Sequence, residues 1–200
     1  MPKYPAFDRE NVIQSAMACF WRKGFLGANI RELGLATGLT TGSLYNSFGS
    51  KENLFAECLG HYIETVVSRR VEVFLQGDNP RDGIRKFISS INERDNVAVK
   101  SGCFLANTYA ELHRLPTSAV ALVQRGQDAI DTALKVAVIS AQAKQQIDSA
   151  LDATVLVEQL SLLATAASIR GRKSHSRLQQ SLREKAIEAT LGPVPAPSCR

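Results

Sequence analysis

The chain reads as all-α. Nearly every segment repeats its apolar side chains with helical period, and no segment sustains the alternation of a strand. The breaks between segments carry the caps and glycine stops that helices use. About nine helices are predicted: an N-terminal three-helix unit, a long fourth helix and a larger C-terminal helical body.

Asp8 caps the first helix, with Phe7 and Val12 placed as a hydrophobic staple. Val12, Ile13, Ala16, Met17 and Phe20 form its buried stripe. Lys23-Gly24-Phe25 is a stop: Gly24 takes the left-handed position and Phe25 folds back on Phe20. Asn29 caps the second helix, and Glu32 three residues later completes a capping box. Gly38 ends that helix. Thr40 caps the third, with Leu39 and Leu44 as its staple and Leu44 and Phe48 as a narrow apolar face. Gly49 ends it. Ser50 then caps the long fourth helix, which runs through Leu54, Phe55, Cys58, Leu59, Tyr62, Val66 and Val71 to a stop at Gly77.

The chain turns at Asp78-Asn79-Pro80, with Pro80 at a first helical position. Ile84, Phe87, Ile88 and Ile91 mark the fifth helix, and a polar stretch from Asn92 to Gly102 reads as loop. Cys103 to Leu112 forms the sixth helix. Pro116 opens the seventh, which runs to about Ala141. Two more helices follow, Asp152 to Arg170 and Ser174 to Leu191. Residues 193–200 are proline-rich and expected to be a disordered tail. The region near Gly77 is a soft packing boundary, since the long fourth helix serves both sides.

Composition is that of an ordinary soluble globular chain, with 44% hydrophobic and 22% charged residues. A net charge of +5 leans mildly toward polyanions. Much of it sits late, in Arg170, Arg172, Lys173, Arg177, Arg183 and Lys185, and reads as a solvated helix end. Cys19, Cys58, Cys103 and Cys199 have no metal-ligand spacing, and His61, His113 and His175 are scattered. No metal site, cofactor or catalytic residue is therefore expected. The N-terminus lacks the apolar core of a signal peptide, and Ala153 to Ile169 is interrupted by Glu158 and Gln159 and short for a membrane span. A cytoplasmic location without membrane contact is expected.

Residues 29–51 carry the function. Two short helices joined by a tight turn suit insertion of the second into the major groove of DNA, whose width of about 12 Å demands a slender leading face. Thr40, Thr41, Gly42 and Ser43 provide one. Gly42 lets the backbone approach closely. Thr41 offers a hydroxyl to a base edge or phosphate and a methyl to thymine. Tyr45 and Asn46 can reach phosphates or base edges. Lys51 and the amides opening the fourth helix form a phosphate anchor. Asn29 and Arg31 flank the site on the second helix, and Arg31 reads equally as a phosphate contact or a solvated side chain.

Phe20 to Phe55 resembles the DNA-binding domain of the tetracycline-repressor (TetR) family of bacterial regulators. The resemblance rests on Lys23-Gly24-Phe25, Ile30-Arg31-Glu32-Leu33, Ala36-x-Gly38-Leu39, Gly42-Ser43-Leu44-Tyr45-x-x-Phe48 and Ser50-Lys51-Glu52-x-Leu54. It implies a homodimer whose first three helices bind a near-palindromic DNA operator and whose C-terminal body binds a small-molecule effector. Residues 1–55 are then the DNA-binding domain and 56–192 the ligand-binding and dimerisation domain. The family often has Lys, Arg or Ser in place of Thr41, Ala in place of Gly34 and Thr in place of Asn29. The Thr41 departure leaves the operator sequence open.

Ser101 to Leu112 is similar to the opening of the sixth helix in some TetR subgroups, which implies a place beside the ligand pocket. Cys103 there is either a thiol activated by the helix dipole or a small residue at a tight helix start. Asn107, Thr108 and Glu111 are either polar groups for an apolar cavity or local caps. Phe104, Gln127 and Leu160 complete the expected lining. The apolar set Val155, Leu156, Leu160, Leu163, Ala167, Ile169, Leu178, Leu182 and Ile187 suits either an intrachain bundle or a four-helix dimer interface; the resemblance implies the dimer.

Overall fold

The computed structural model describes residues 7–92, 102–170 and 177–196. Among them every regular element is helical. The N-terminal unit comprises α1 (Arg9–Gly27), α2 (Ile30–Thr37) and α3 (Thr41–Phe48). A long rod follows: α4 (Lys51–Tyr62), a π-helical turn (Ile63–Val67) and α5 (Ser68–Leu75), without a break. The body adds α6 (Pro80–Ser89), α7 (Phe104–Ala110), α8 (Thr117–Ala143), α9 (Ala153–Arg170) and α10 (Arg177–Leu191). With the rod taken as one, this gives nine helices among the described residues.

The caps form where their sequence places them. Asp8 accepts from the amides of Glu10 and Asn11 at 3.0 and 3.3 Å. Asn79 caps α6, with Pro80 in its first turn. Asp152 accepts from the amides of Thr154 and Val155 at 2.7 and 3.2 Å and starts α9. The Phe7 side chain, expected to staple, is exposed.

Two apolar cores stack along the molecule. The first joins α1–α4 and the π turn to α7 and the beginning of α8, around Phe20, Phe55, Tyr62 and Phe104. The second joins α5, α6, α9 and α10 to the rest of α8, around Ile84, Ile88, Leu134, Leu160 and Ile187. The helix contacts are close: a Cβ on Gly83 would fall 2.1 Å from the carbonyl oxygen of Phe74, so α6 crosses α5 over a glycine.

Three expectations change. Gly24 does not end the first helix; it kinks it, with φ 75° and ψ 171°, and one further turn reaches Gly27. That conformation lies outside the left-handed helical well and belongs to glycine alone. The sixth helix is shorter than expected, closing at Ala110 with a 3-10 turn at Leu112–Arg114. Arg183, taken for part of a solvated helix end, is half-buried and donates to the Ser89 carbonyl at 3.1 Å. The expected loop at 93–101, residues 171–176 and residues 197–200 of the tail lie outside the described residues.

Candidate nucleic-acid interface and ligand cavity

The start of α2 is locked by a capping box: Asn29 Oδ1 accepts from the Glu32 amide at 3.0 Å, and Glu32 accepts from the Asn29 amide at 3.2 Å. At the start of α3, Thr40 Oγ1 accepts from the Ser43 amide at 3.1 Å and shares a hydrogen with Ser43 Oγ at 2.9 Å. Thr40 and Ser43 are thus occupied in building the helix. The face that α3 leaves outward is Thr41, Gly42, Tyr45 and Asn46, all exposed. Tyr45 keeps 46% of its surface open, while Leu44 and Phe48 on the opposite face are buried. A Cβ on Gly42 would meet nothing nearer than Thr40 Oγ1 at 3.9 Å, so the fold itself does not require glycine there.

Several contacts hold this face rigidly. A Cβ on Gly34 would fall 2.9 Å from the Leu39 carbonyl oxygen, so the turn closes tightly against α2 at the residue where the family often has alanine. Arg9 reaches from α1 to Glu57 at 2.7 Å and covers the Phe48 ring at 4.5 Å. Lys23 pairs with Glu32 across α1 and α2. The Lys23 hydrogen bond first, then the Asn29 amide, hold the Glu32 carboxyl below its usual range.

Lys51 is half-buried, with Nζ 4.6 Å from the centre of the Phe25 ring. Burial pushes its ammonium below the usual lysine range. Ser50 Oγ accepts from the Asn53 amide at 3.1 Å. The amides of Lys51 and Glu52 begin α4 ahead of its first intrahelical acceptor, a geometry suited to an anion. Asn29 and Arg31 are exposed on α2.

Where the two cores meet, a cavity opens, with about 770 Å³ of space including its mouth. Trp21, Tyr62 and Phe87 form an aromatic wall, and the π turn contributes Val66 and Val67. Arg70, Cys103, Gln127 and Ser161 bring polar atoms. Tyr62 donates its hydroxyl to Cys103 Sγ at 3.3 Å. Burial, then the Cys103 thiol beside it, raise the Tyr62 phenol well above its usual value, so it stays a donor. Trp21 Nε1 donates to the Gly102 carbonyl at 3.0 Å.

Of the seven residues expected at the cavity, Cys103 and Gln127 line it; Phe104, Asn107, Thr108, Glu111 and Leu160 do not. The reason is helical phase. On α7 the face carrying Cys103 and Ala106 looks into the cavity, and the face carrying Phe104, Thr108 and Glu111 turns toward the first core. Phe104 packs edge-on to Phe55 and Tyr62, and Thr108 Oγ1 donates to the Phe104 carbonyl at 2.8 Å. Glu111 accepts from the Phe25 amide at 3.2 Å, filling the space beside Gly24. Asn107 is half-buried elsewhere, and Leu160 belongs to the second core. Trp21, Arg70 and Ser161 were not singled out from the sequence. The one available signal for the π turn was the β-branched run Ile63-Glu64-Thr65-Val66-Val67, which is poor α-helix former.

Among the described residues no group of three or more His, Cys, Asp or Glu could hold a metal, and no helix is long and apolar enough to cross a membrane. The profile described as bacterial regulatory proteins, tetR family, matches residues 12–58. That of the tetracyclin repressor-like C-terminal domain matches residues 81–185. The chain belongs to the TetR family. It is accordingly a helix-turn-helix transcriptional regulator. The TetR-type chain is 27% identical over 174 residues to the HTH-type transcriptional repressor ComR of Escherichia coli (strain K12), covering 85% of this chain and 82% of that one. The reduced form of E. coli NemR superposes with a TM-score of 0.80 at 19% identity, over 94% of this chain and 99% of that one. A cysteine mutant of the TetR regulator CifR, complexed with 26-bp operator DNA, superposes at 0.79 and 23% identity, over 94% and 99% of the two chains. At these identities the two structures speak to the fold.

Proposed function

We propose that this TetR-family chain is a homodimeric repressor that binds a near-palindromic operator and releases it when a small molecule enters the cavity. The observation that carries the reading is the outward face of α3. Thr41, Gly42, Tyr45 and Asn46 are exposed, serve no packing purpose, and sit on a helix fixed by caps and by Leu44 and Phe48. Thr41, Tyr45 and Asn46 read base edges and phosphates. Lys51, the α4 amides, Arg31 and Asn29 hold the backbone, while Thr40 and Ser43 shape the helix that does the reading.

Residues 1–55 read DNA and 56–192 hold the effector and the partner subunit. The dimer interface is α9 and α10. Val155, Leu162 and Ile169 recur every seven residues along α9, and Val155 and Leu162 are 53% and 60% exposed. Leu178 and Leu182 continue the apolar face on α10. A ligand shifts the dimer only by its difference in affinity for the two spacings of the DNA-reading units. On this reading the protein is not an enzyme and works in the cytoplasm.

Gel shifts on the gene's own upstream DNA test the assignment. Binding should fall steeply with salt and be lost in Tyr45→Ala, Lys51→Ala double-variant protein. Unchanged binding by that variant rejects the site. A second input is favoured by one contact, the Tyr62 hydroxyl on Cys103 Sγ in the cavity wall: modification of this thiol by an electrophile or oxidant. Cys19 and Cys58 are buried with raised thiol pKa, so Cys103 should alkylate before them.

A further inference from the structure

The hydrogen bonds around the cavity have an uneven sign. Gln127 Nε2 donates to Asp131 Oδ1 at 3.0 Å and to Ser161 Oγ at 2.8 Å. Ser161 Oγ in turn donates to Asp131 Oδ1 at 2.7 Å. This is a closed triangle. The ionised Asp131 accepts only, so the amide nitrogen of Gln127 must face it and the Ser161 hydrogen must go to it. Both Nε2 hydrogens are then committed, and the amide presents Oε1 as its remaining polar atom. The other donors on the wall are spent in the same way. Tyr62 donates to Cys103, and Ser168 Oγ donates to the Ala164 carbonyl at 2.9 Å. Arg70 is held by the carbonyls of Phe87 and Ser90 and lies over the Phe74 and Phe87 rings, at 5.5 and 5.1 Å. The Thr165 hydroxyl can serve either way.

We infer that the effector is a small, uncharged aromatic compound carrying a hydroxyl or amine hydrogen, which it donates to Gln127 Oε1. The inference rests on the cavity being the effector site. The aromatic part follows from the wall of Trp21, Tyr62 and Phe87, against which a flat ring stacks or meets edges. The donor follows from the inventory above: a ligand without one buries Gln127 Oε1 unsatisfied. Neutrality follows from Asp131, whose charge lies directly behind the Gln127–Ser161 end and repels an anion there. A ligand lacking the donor should bind about ten- to a hundredfold more weakly.

The test uses three probes with one ring: p-cresol, its methyl ether 4-methylanisole, and p-toluate. Trp21 is the single tryptophan of the chain and lines the cavity, so its emission reports occupancy. Calorimetry gives the affinities on the full-length dimer, and release of upstream DNA gives the regulatory readout. Expected is p-cresol binding at least about tenfold more tightly than 4-methylanisole, with p-toluate weakest. Gln127→Leu should erase the preference for p-cresol. Ser161→Ala, which returns one Gln127 N–H to the cavity, should narrow it while leaving the amide in place. Equal binding of p-cresol and its ether, a preference unaltered in Gln127→Leu protein that keeps its melting temperature, or p-toluate binding tightest through Arg70 each overturns the donor rule while leaving the cavity reading intact. If none of the three perturbs Trp21 or releases DNA, both readings fall.

Discussion

Replacing Gly24 with alanine tests the joint between the DNA-reading unit and the body. At φ 75° and ψ 171°, Gly24 holds a backbone conformation that costs an L-residue about 1–3 kcal/mol. An added Cβ would also lie 2.3 Å from Glu111 Oε1, so the carboxylate must move. Moving it breaks the half-buried hydrogen bond from the Phe25 amide, 3.2 Å long. A hydrogen bond to a charged group is worth about 1.5–3 kcal/mol. Gly24→Ala should therefore cost about 2–5 kcal/mol, against a total stability of about 5–15 kcal/mol for a folded domain. Urea unfolding at one fixed protein concentration measures this, since a dimer's midpoint depends on concentration. The decisive form is a double-mutant cycle. In a Glu111→Ala background the carboxylate is gone, and Gly24→Ala should cost only its backbone share, about 1–3 kcal/mol. Equal costs in both backgrounds, or a loss below about 1 kcal/mol in the wild type, would refute the reasoning.

Gly42→Ala should separate folding from recognition: stability stays level or rises by up to about 1 kcal/mol, while operator affinity in a gel shift drops. Gly83→Ala should lose about 1–3 kcal/mol in urea unfolding despite better helix propensity, because its Cβ meets the Phe74 carbonyl rather than a movable side chain. Leu162→Glu with Leu182→Glu should give monomers in sedimentation experiments and weaken operator binding, since both side chains are more than half exposed on the proposed interface. The Glu32 carboxyl is lowered by Lys23 and the Asn29 amide, so its contribution is complete above the ordinary glutamate value of about 4.3 and is lost as pH falls through the lowered folded value. The stability gap between wild type and Glu32→Gln should therefore be flat near neutrality and close on acidification.

The N-terminal unit was legible because its signals are local. A capping box at Asn29 and Glu32, a cap at Thr40 and a cap at Ser50 each act within three residues, and all three form. The cavity was less legible because it depends on which face of each helix turns inward. Glu111 and Cys103 share one short stretch, yet one grips the Phe25 amide and the other lines the cavity. Trp21 sits in a helix whose neighbours all read as DNA-binding domain, and nothing local announces its bond to Gly102, 81 residues away. The apolar set of α9 and α10 divided the same way. Leu156, Leu160 and Ile187 are buried within the chain, while Leu162, which was not singled out, lies on the exposed stripe.

Trp21 belongs at once to the helix that carries the DNA-reading unit and to the cavity wall. The two sides of the cavity therefore have different evolutionary freedom. Gln127 and Ser161, on α8 and α9, can be exchanged to admit a new inducer with operator recognition untouched. Any change at the indole alters sensor and reader together, so divergence of inducer preference among descendants of this chain should accumulate on the α8–α9 side and stall at position 21.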